Sequence, residues 1–214
     1  PDLMPGFLDG AIAAVRTAGG IVVADEVQSG FGRTGSHMWA HERANFKPDV
    51  VTLGKPMGNG HPIGGVVTSR EHLATFRSVC RYFNTFGGNA VSCAAAMAML
   101  SVLEEEELLT NALETGEYAK SRLHELANRH ECIGDVRGAG LFFGAEMVTS
   151  RDHKTPAPEF TASVANAMRH RGVLLNKLGI HGNTLKIRPP MPFGPAEVDF
   201  LMVQLDDVLN ELTP

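Results

Sequence analysis

Two short apolar runs constrain this chain more than any other feature. "IVVADEV" spans Ile21–Val27 and "PDVVTLG" spans Pro48–Gly54. Each is nearly continuous in apolar residues and too short for a buried helix, the pattern of strands covered on both faces. "IGGVVTS" (Ile63–Ser69) reads as a third strand. A helix precedes them in "GFLDGAIAAVRTAGG", stopped by Gly19-Gly20. Helix, strand, connection and strand are the grammar of an α/β sheet. In open α/β sheets, ligands gather at the carboxyl ends of strands. Asp25 and Glu26 end the first run, and Lys55 follows the second. The two ends therefore converge on one crevice.

The rest of the chain has a different texture. A long helical region runs from Asn89 to about His130, and Gly116 and the acidic run Glu104–Glu107 are the two places where it is expected to break. "IGDVRGAGLFFGAEMV" alternates glycine with apolar residues and reads as two strands around a turn at Gly138. "PEFTASVANAMRHRG" has helical amphipathicity, and "VLLNKLG" and "NTLKIRPPMPF" read as strands. "GPAEVDFLMVQLDDVLNEL" is a terminal helix with Pro195 in its first turn. This is an α+β unit, distinct in character from residues 1–90.

Composition narrows the function. With 214 residues, 43% of them hydrophobic, the chain can form one large or two modest domains. It carries 19 basic and 24 acidic residues, a net charge of −5, and no basic block. Nucleic acid is thus not an expected partner. No apolar run approaches a membrane span, and no signal-peptide pattern is evident. Cys80, Cys93 and Cys132 are too widely spaced for a zinc pairing or a disulfide framework, which suits a reducing cytoplasm. The nine histidines form no HxH or HExxH pattern, so no metal is expected.

Lys55 stands between Gly54 and Pro56 in "TLGKPMGNGHPIGG", where a helix is excluded. A phosphate-binding loop is one reading, but Asp49 occupies the position of the first required glycine and Pro56 that of the Ser or Thr. A solvated loop charge is another. The chemical reading is a reactive amine. Burial among glycine backbone and apolar walls lowers a lysine pKa and frees it to form a Schiff base. If the carbonyl belongs to pyridoxal phosphate, the ring nitrogen requires a carboxylate partner, and Asp25 is placed for it. On position alone, Asp25 could equally order a loop.

At these residues the sequence resembles a known family. "IVVADEVQSGFGRTGSHMWAHE", "PDVVTLGKPMGNGHPIGG" and "FNTFGGNAVSCAAAMAML" look like consecutive blocks of the class III (ω-amino acid) aminotransferases, in the family's order, and "LKIRPPMPF" fits as well. The resemblance implies a fold type I pyridoxal-phosphate enzyme of α/β class. Residues 1–115 would be the C-terminal part of the large cofactor-binding domain and residues 116–214 the small C-terminal domain. The implied cofactor is pyridoxal 5'-phosphate, with an amino donor and a 2-oxo acid as substrates.

The implied roles fall on five residues. Asp25 binds the pyridine nitrogen, and Gln28 lies near the ring and its phenolic oxygen. Lys55 is the Schiff-base lysine and the base that moves the substrate proton. Thr85 hydrogen-bonds the cofactor phosphate of the neighbouring subunit of a homodimer. Arg188 faces a substrate carboxylate, which suits a bidentate guanidinium. Each has a plain alternative: Gln28 orders a turn, Thr85 caps the following helix, Arg188 is a structural surface residue. Glu26 is expected to contact backbone or Arg33, Trp39 to serve packing, and His61 to be a loop residue.

The family's large domain also begins well before "PDLMPGFLDG", with a phosphate-binding loop and a ring-stacking aromatic upstream. The resemblance therefore implies that this sequence is about the C-terminal half of an enzyme, inactive alone if the remainder is required, with unpaired sheet edges where the remainder would sit. Two blocks look especially like the family's phospholyase branch, which acts on phosphorylated amino alcohols or hydroxylysine. That branch is expected to carry lysine where this chain has Arg188, a departure that favours transamination. A third expectation, of another class, is a non-catalytic module that keeps the fold for assembly. Retention of Asp25, Lys55 and Thr85 argues against it, since assembly requires none of them.

Overall fold

The computed structural model describes residues 6–212, so the opening "PDLMP" lies outside the described residues. The chain forms two compact units, one running through Leu109 and the other from Thr110.

The first unit opens with α1 (Asp9–Thr17), which ends where Gly19 takes a left-handed φ of 76°. A three-stranded sheet follows in the order β1-β2-β3, from β1 (Val23–Asp25), β2 (Val50–Leu53) and β3 (Gly65–Thr68). β1 and β2 are parallel, with Val23, Ala24 and Asp25 opposite Val50, Val51 and Thr52. β3 turns back and pairs antiparallel to β2. The strands are shorter than the apolar runs that encode them. They are also not covered on both faces as expected: Ala24 is buried, whereas Val23, Val66 and Val67 are more than half exposed. β1 and β3 form the sheet's edges.

Between β1 and β2 lies a short helix, α2 (Ala40–Arg43). After β3 comes α3 (Arg70–Val79), N-capped by Ser69, a helix that periodicity did not reveal. α4 (Ala90–Glu105) is N-capped by Asn89 and buries only Ser92, Ala96 and Leu103, a narrow stripe at helical spacing. Its alanines largely face outward.

The long helical region breaks inside the acidic run. Glu106 ends α4, Glu107 adopts a left-handed φ of 49°, and α5 (Leu108–Arg129) begins. Gly116 does not interrupt α5. It is buried where a Cβ would lie 2.3 Å from the carbonyl oxygen of Gly140. That contact explains a glycine in a helix interior, which otherwise costs about 1 kcal/mol relative to alanine.

The second unit is built on the antiparallel sheet β4-β5-β8-β7, with β6 paired to β5. Its strands are β4 (Ile133–Ala139), β5 (Phe142–Ser150), β6 (Thr155–Pro156), β7 (Asn176–Leu178) and β8 (Thr184–Ile187). The β4–β5 turn falls at Gly140-Leu141 rather than Gly138, which lies inside β4 opposite Phe143. Gly138 has a φ of 145°, and its role is close packing: a Cβ there would meet the backbone of Phe142 and Phe143 within 2.5 Å.

The helices of this unit are α5, α6 (Pro158–His170) and α7 (Pro195–Leu212). Leu123 and Leu126 of α5, Val164 and Met168 of α6, and Leu205 and Leu209 of α7 close over Phe143, Met147 and Leu185 of the sheet. This is the hydrophobic core of the second unit. No helix among the described residues is long and apolar enough to cross a membrane.

Candidate active site

Parallel pairing of β1 and β2 sets the geometry. Both strands run the same way, so their carboxyl ends lie on one edge of the sheet. Asp25 is the last residue of β1, opposite Thr52. Its carboxylate Oδ1 accepts hydrogen bonds from Thr52 Oγ1 and from the Val27 backbone N–H, each at 3.1 Å. Both bonds fall on the same oxygen, so the carboxylate is aimed while its exposed Oδ2 carries neither. A carboxylate oriented through one oxygen and presented through the other is a suitable acceptor for a ring N–H.

Lys55 lies three residues beyond Thr52, at the start of a single 3-10 turn, Lys55–Gly58. Its φ is +37°, a left-handed value that costs a non-glycine residue on the order of 1 kcal/mol or more. Gly54 before it is extended, and Pro56 after it sets the turn. Lys55 is exposed, not walled by apolar residues as expected from its glycine-rich setting. The surroundings that would desolvate it are not supplied by the described residues.

The loop after β1 is tightly built. Glu26 is 1% exposed. Its carboxylate accepts from His41 N and His41 Nδ1 at Oε1, both at 2.8 Å, and from Ser29 Oγ at Oε2, at 2.8 Å. Burial alone would raise the Glu26 pKa, but these donors hold it below the ordinary carboxylate value. Glu26 is therefore a buried anchor, and its importance was not legible in the sequence because its main partner lies fifteen residues away. Trp39 packs edge-on against Phe31 with ring centroids 5.0 Å apart. Gly30 fits beneath it, where a Cβ would meet the Trp39 ring at 2.9 Å and the Glu26 carbonyl at 2.8 Å. Gln28 lies on this loop, exposed, three residues after Asp25.

Thr85 occupies an exposed turn before α4. It is not the helix cap, because Asn89 takes that position and accepts from the Ser92 N–H at 2.9 Å. The turn is held by Asn84, whose Oδ1 accepts from Phe86 N at 3.1 Å and whose carbonyl accepts from Gly87 N at 3.2 Å. Tyr82, Phe83 and Phe86 around it are at least 70% exposed. His61 is half-buried and is not a simple loop residue: its Nε2 lies 2.8 Å from Ser92 Oγ on α4.

The first unit thus brings Asp25, Gln28 and Lys55 to one edge of its sheet and presents Thr85 on a turn. Arg188 belongs to the second unit. It lies just beyond β8, exposed, on the rim of a cleft of about 320 Å³ whose walls include Leu174, Pro189, Phe193 and Phe200.

Residues 3–209 match the family model for aminotransferase class-III. A mitochondrial alanine–glyoxylate aminotransferase 2 homologue of Arabidopsis thaliana is 46% identical over 99% of this chain and 44% of its own. An ethanolamine-phosphate phospho-lyase homologue of Caenorhabditis elegans is 43% identical over 92% of this chain and 43% of its own. Among solved structures, an Arthrobacter phospholyase in complex with phosphoethanolamine superimposes with a TM-score of 0.94 at 48% identity, covering 98% of this chain and 50% of that one. A Bacillus anthracis aminotransferase gives 0.89 at 29% identity, over 96% and 48%. The chain spans about half the length of the relatives it matches. The fold is that of fold type I transaminases, whose cofactor is pyridoxal 5'-phosphate. The oriented Asp25, the strained Lys55 turn and the match along nearly the whole sequence agree, and the chain belongs to the class III aminotransferases.

Proposed function

We propose that the whole protein carrying this chain is a pyridoxal-phosphate-dependent aminotransferase that moves an amino group from an amino acid or ω-amine to a 2-oxo acid. The observation that carries this reading is the placement of Asp25 and Lys55 at the carboxyl ends of adjacent parallel strands, with the Asp25 carboxylate oriented by two donors. The residues fit the cofactor. When bound, pyridoxal phosphate takes up the electron pair left as the substrate Cα–H bond breaks.

The chain's own groups do the rest. Lys55 Nζ would be the amine that holds the cofactor, and once released it would be the base that takes the substrate Cα proton. Asp25 keeps the ring nitrogen protonated through an ion-paired hydrogen bond. Gln28 would lie near the ring and its phenolic oxygen. Thr85 donates to the phosphate of the neighbouring subunit in a homodimer, a reading supported by the exposed aromatic residues flanking it. Arg188 pairs with the substrate carboxylate. Cys80, Cys93 and Cys132 form no disulfide with one another, which accords with a reducing compartment such as the cytoplasm.

The Arthrobacter structure, at 48% identity, favours a second reading: a phospho-lyase acting on a phosphorylated amine or amino acid. Both readings share proton removal by Lys55. They part afterwards, because loss of a β-phosphate requires no amino acceptor. Incubation of the cofactor-loaded protein with amino donors and with phosphorylated amines, each with and without a 2-oxo acid, separates them. Turnover that depends on the 2-oxo acid supports transamination, whereas release of inorganic phosphate without it supports the lyase. A protein with no cofactor absorbance sensitive to Lys55→Ala would be a non-catalytic member of the fold, and both readings would fall.

A further inference from the structure

One hydrogen-bond chain in the first unit is not used by the chemistry above. It begins at the Lys55 turn, where Met57 N donates to Gly54 O at 3.0 Å and Asn59 N to Pro56 O at 3.0 Å. His61 N then donates to Gly58 O at 2.9 Å, which ties the His61 backbone to that turn. His61 Nε2 meets Ser92 Oγ at 2.8 Å across 31 residues of sequence. Ser92 is buried, at 8% exposed, in the first turn of α4. Its hydroxyl also receives Asn89 Nδ2 at 3.0 Å, and its N–H donates to Asn89 Oδ1 at 2.9 Å.

The second hydrogen of Asn89 Nδ2 goes to the carbonyl of Phe86 at 2.8 Å. Phe86 directly follows Thr85. Both donors and the acceptor of the Asn89 amide are thereby engaged, and its orientation is determined. A buried hydroxyl between two side chains that are each tied to a turn has little freedom to relax, and its loss leaves the partner groups unsatisfied.

We propose that His61 is a positioning residue that joins the Lys55 turn to the Thr85 turn through Ser92 and Asn89, so that the reactive amine and the phosphate-facing turn are held as one rigid piece. The proposal rests on the roles given above to Lys55 and Thr85. In a homodimer of the kind described there, the same chain connects one protomer's lysine to the phosphate contact it makes with its partner.

The test compares His61→Leu, His61→Gln and Ser92→Ala in the whole protein, by two measurements. The first is amide hydrogen exchange in the cofactor-free protein. His61→Leu and Ser92→Ala should each speed exchange at residues 57–61 and also at residues 86–92, while His61→Gln, which restores a polar atom at the same reach, stays within about twofold of wild type. The second is the rate of pyridoxal phosphate release from the loaded protein. It should rise about tenfold in His61→Leu and in Ser92→Ala, with no further rise in the double variant, since one shared interaction cannot be lost twice. Faster exchange confined to one of the two turns, or equal release from His61→Leu and His61→Gln, overturns the proposal. A wild-type protein that takes up no cofactor overturns instead the reading of Lys55 and Thr85, and the exchange measurement still decides whether the turns are joined.

Discussion

Oε1 of Glu26 accepts both the backbone N–H and the ring Nδ1 of His41, each at 2.8 Å, so a single buried oxygen holds both ends of the loop that follows β1. Because Glu26 adjoins Asp25, this pairing also anchors the residue proposed to face the cofactor ring. Substitution by alanine strips acceptors from His41 and Ser29 inside the unit. Glu26→Ala should cost about 2–4 kcal/mol in urea unfolding, and Glu26→Gln less, because it keeps an acceptor for the backbone N–H.

The same residue makes stability depend on pH. Its folded pKa is depressed by its donors despite burial. A depressed carboxylate contributes stability that is present above its unfolded pKa and is lost as pH falls through the folded value. In the second unit Asp206 follows the same sign: burial opposes the charge, but hydrogen bonds from His130 and Arg129 hold its pKa below the ordinary value. Unfolding midpoints should therefore fall as pH drops below about 4.5, near the ordinary carboxylate pKa. Glu26→Gln and Asp206→Asn should each flatten that slope. A slope unchanged in both variants would show that other carboxylates govern acid unfolding.

Gly116 faces the backbone of Gly140, not a side chain that could move aside. Alanine there would gain helix propensity of about 1 kcal/mol and lose more through overlap with a carbonyl that belongs to a tight turn. Gly116→Ala should destabilise the protein by about 3 kcal/mol. Stabilisation would mean that the turn at Gly140 yields freely.

Arg151 closes the end of α5. Its Nη2 donates to the carbonyls of Ala127 in the last turn of α5, of His130 just past the helix, and of Ile133 at the start of β4, so it ties the helix end to the strand that follows. Arg151→Ala should cost about 2–3 kcal/mol, and Arg151→Lys should recover only part of it, since an ammonium lacks the planar reach of a guanidinium. Equal stability of the arginine and lysine forms would refute a geometric role for the fork.

Lys55→Ala should abolish the cofactor absorbance of the loaded protein and at least 10³-fold of its turnover, about 4 kcal/mol of barrier. Its left-handed φ adds a separate expectation: Lys55→Gly should fold at least as stably as the parent while remaining inactive. A Lys55→Ala protein with an unchanged absorbance spectrum would remove the lysine from the chemistry.

What the sequence determined by itself is local. Runs of apolar residues marked β1 and β2, helical periodicity marked α1, α6 and α7, and the order of motif blocks identified the family and the residues proposed to carry its chemistry. These signals lie within windows of a few to a few dozen residues, where spacing alone says which face a side chain occupies. The tertiary structure decided what depends on residues distant along the chain. Gly116 reads as a helix break but is a helix interior that another segment's backbone approaches. Gly138 reads as a turn but is a strand residue under Phe143. Glu26 and His61 gained their meaning from His41 and Ser92, fifteen and thirty-one positions away. A hydrogen bond across such a distance leaves no periodic trace, because loops of many sequences can bring the same two groups together. Pairing of that kind is settled only when the backbone closes and buried polar groups must find their partners.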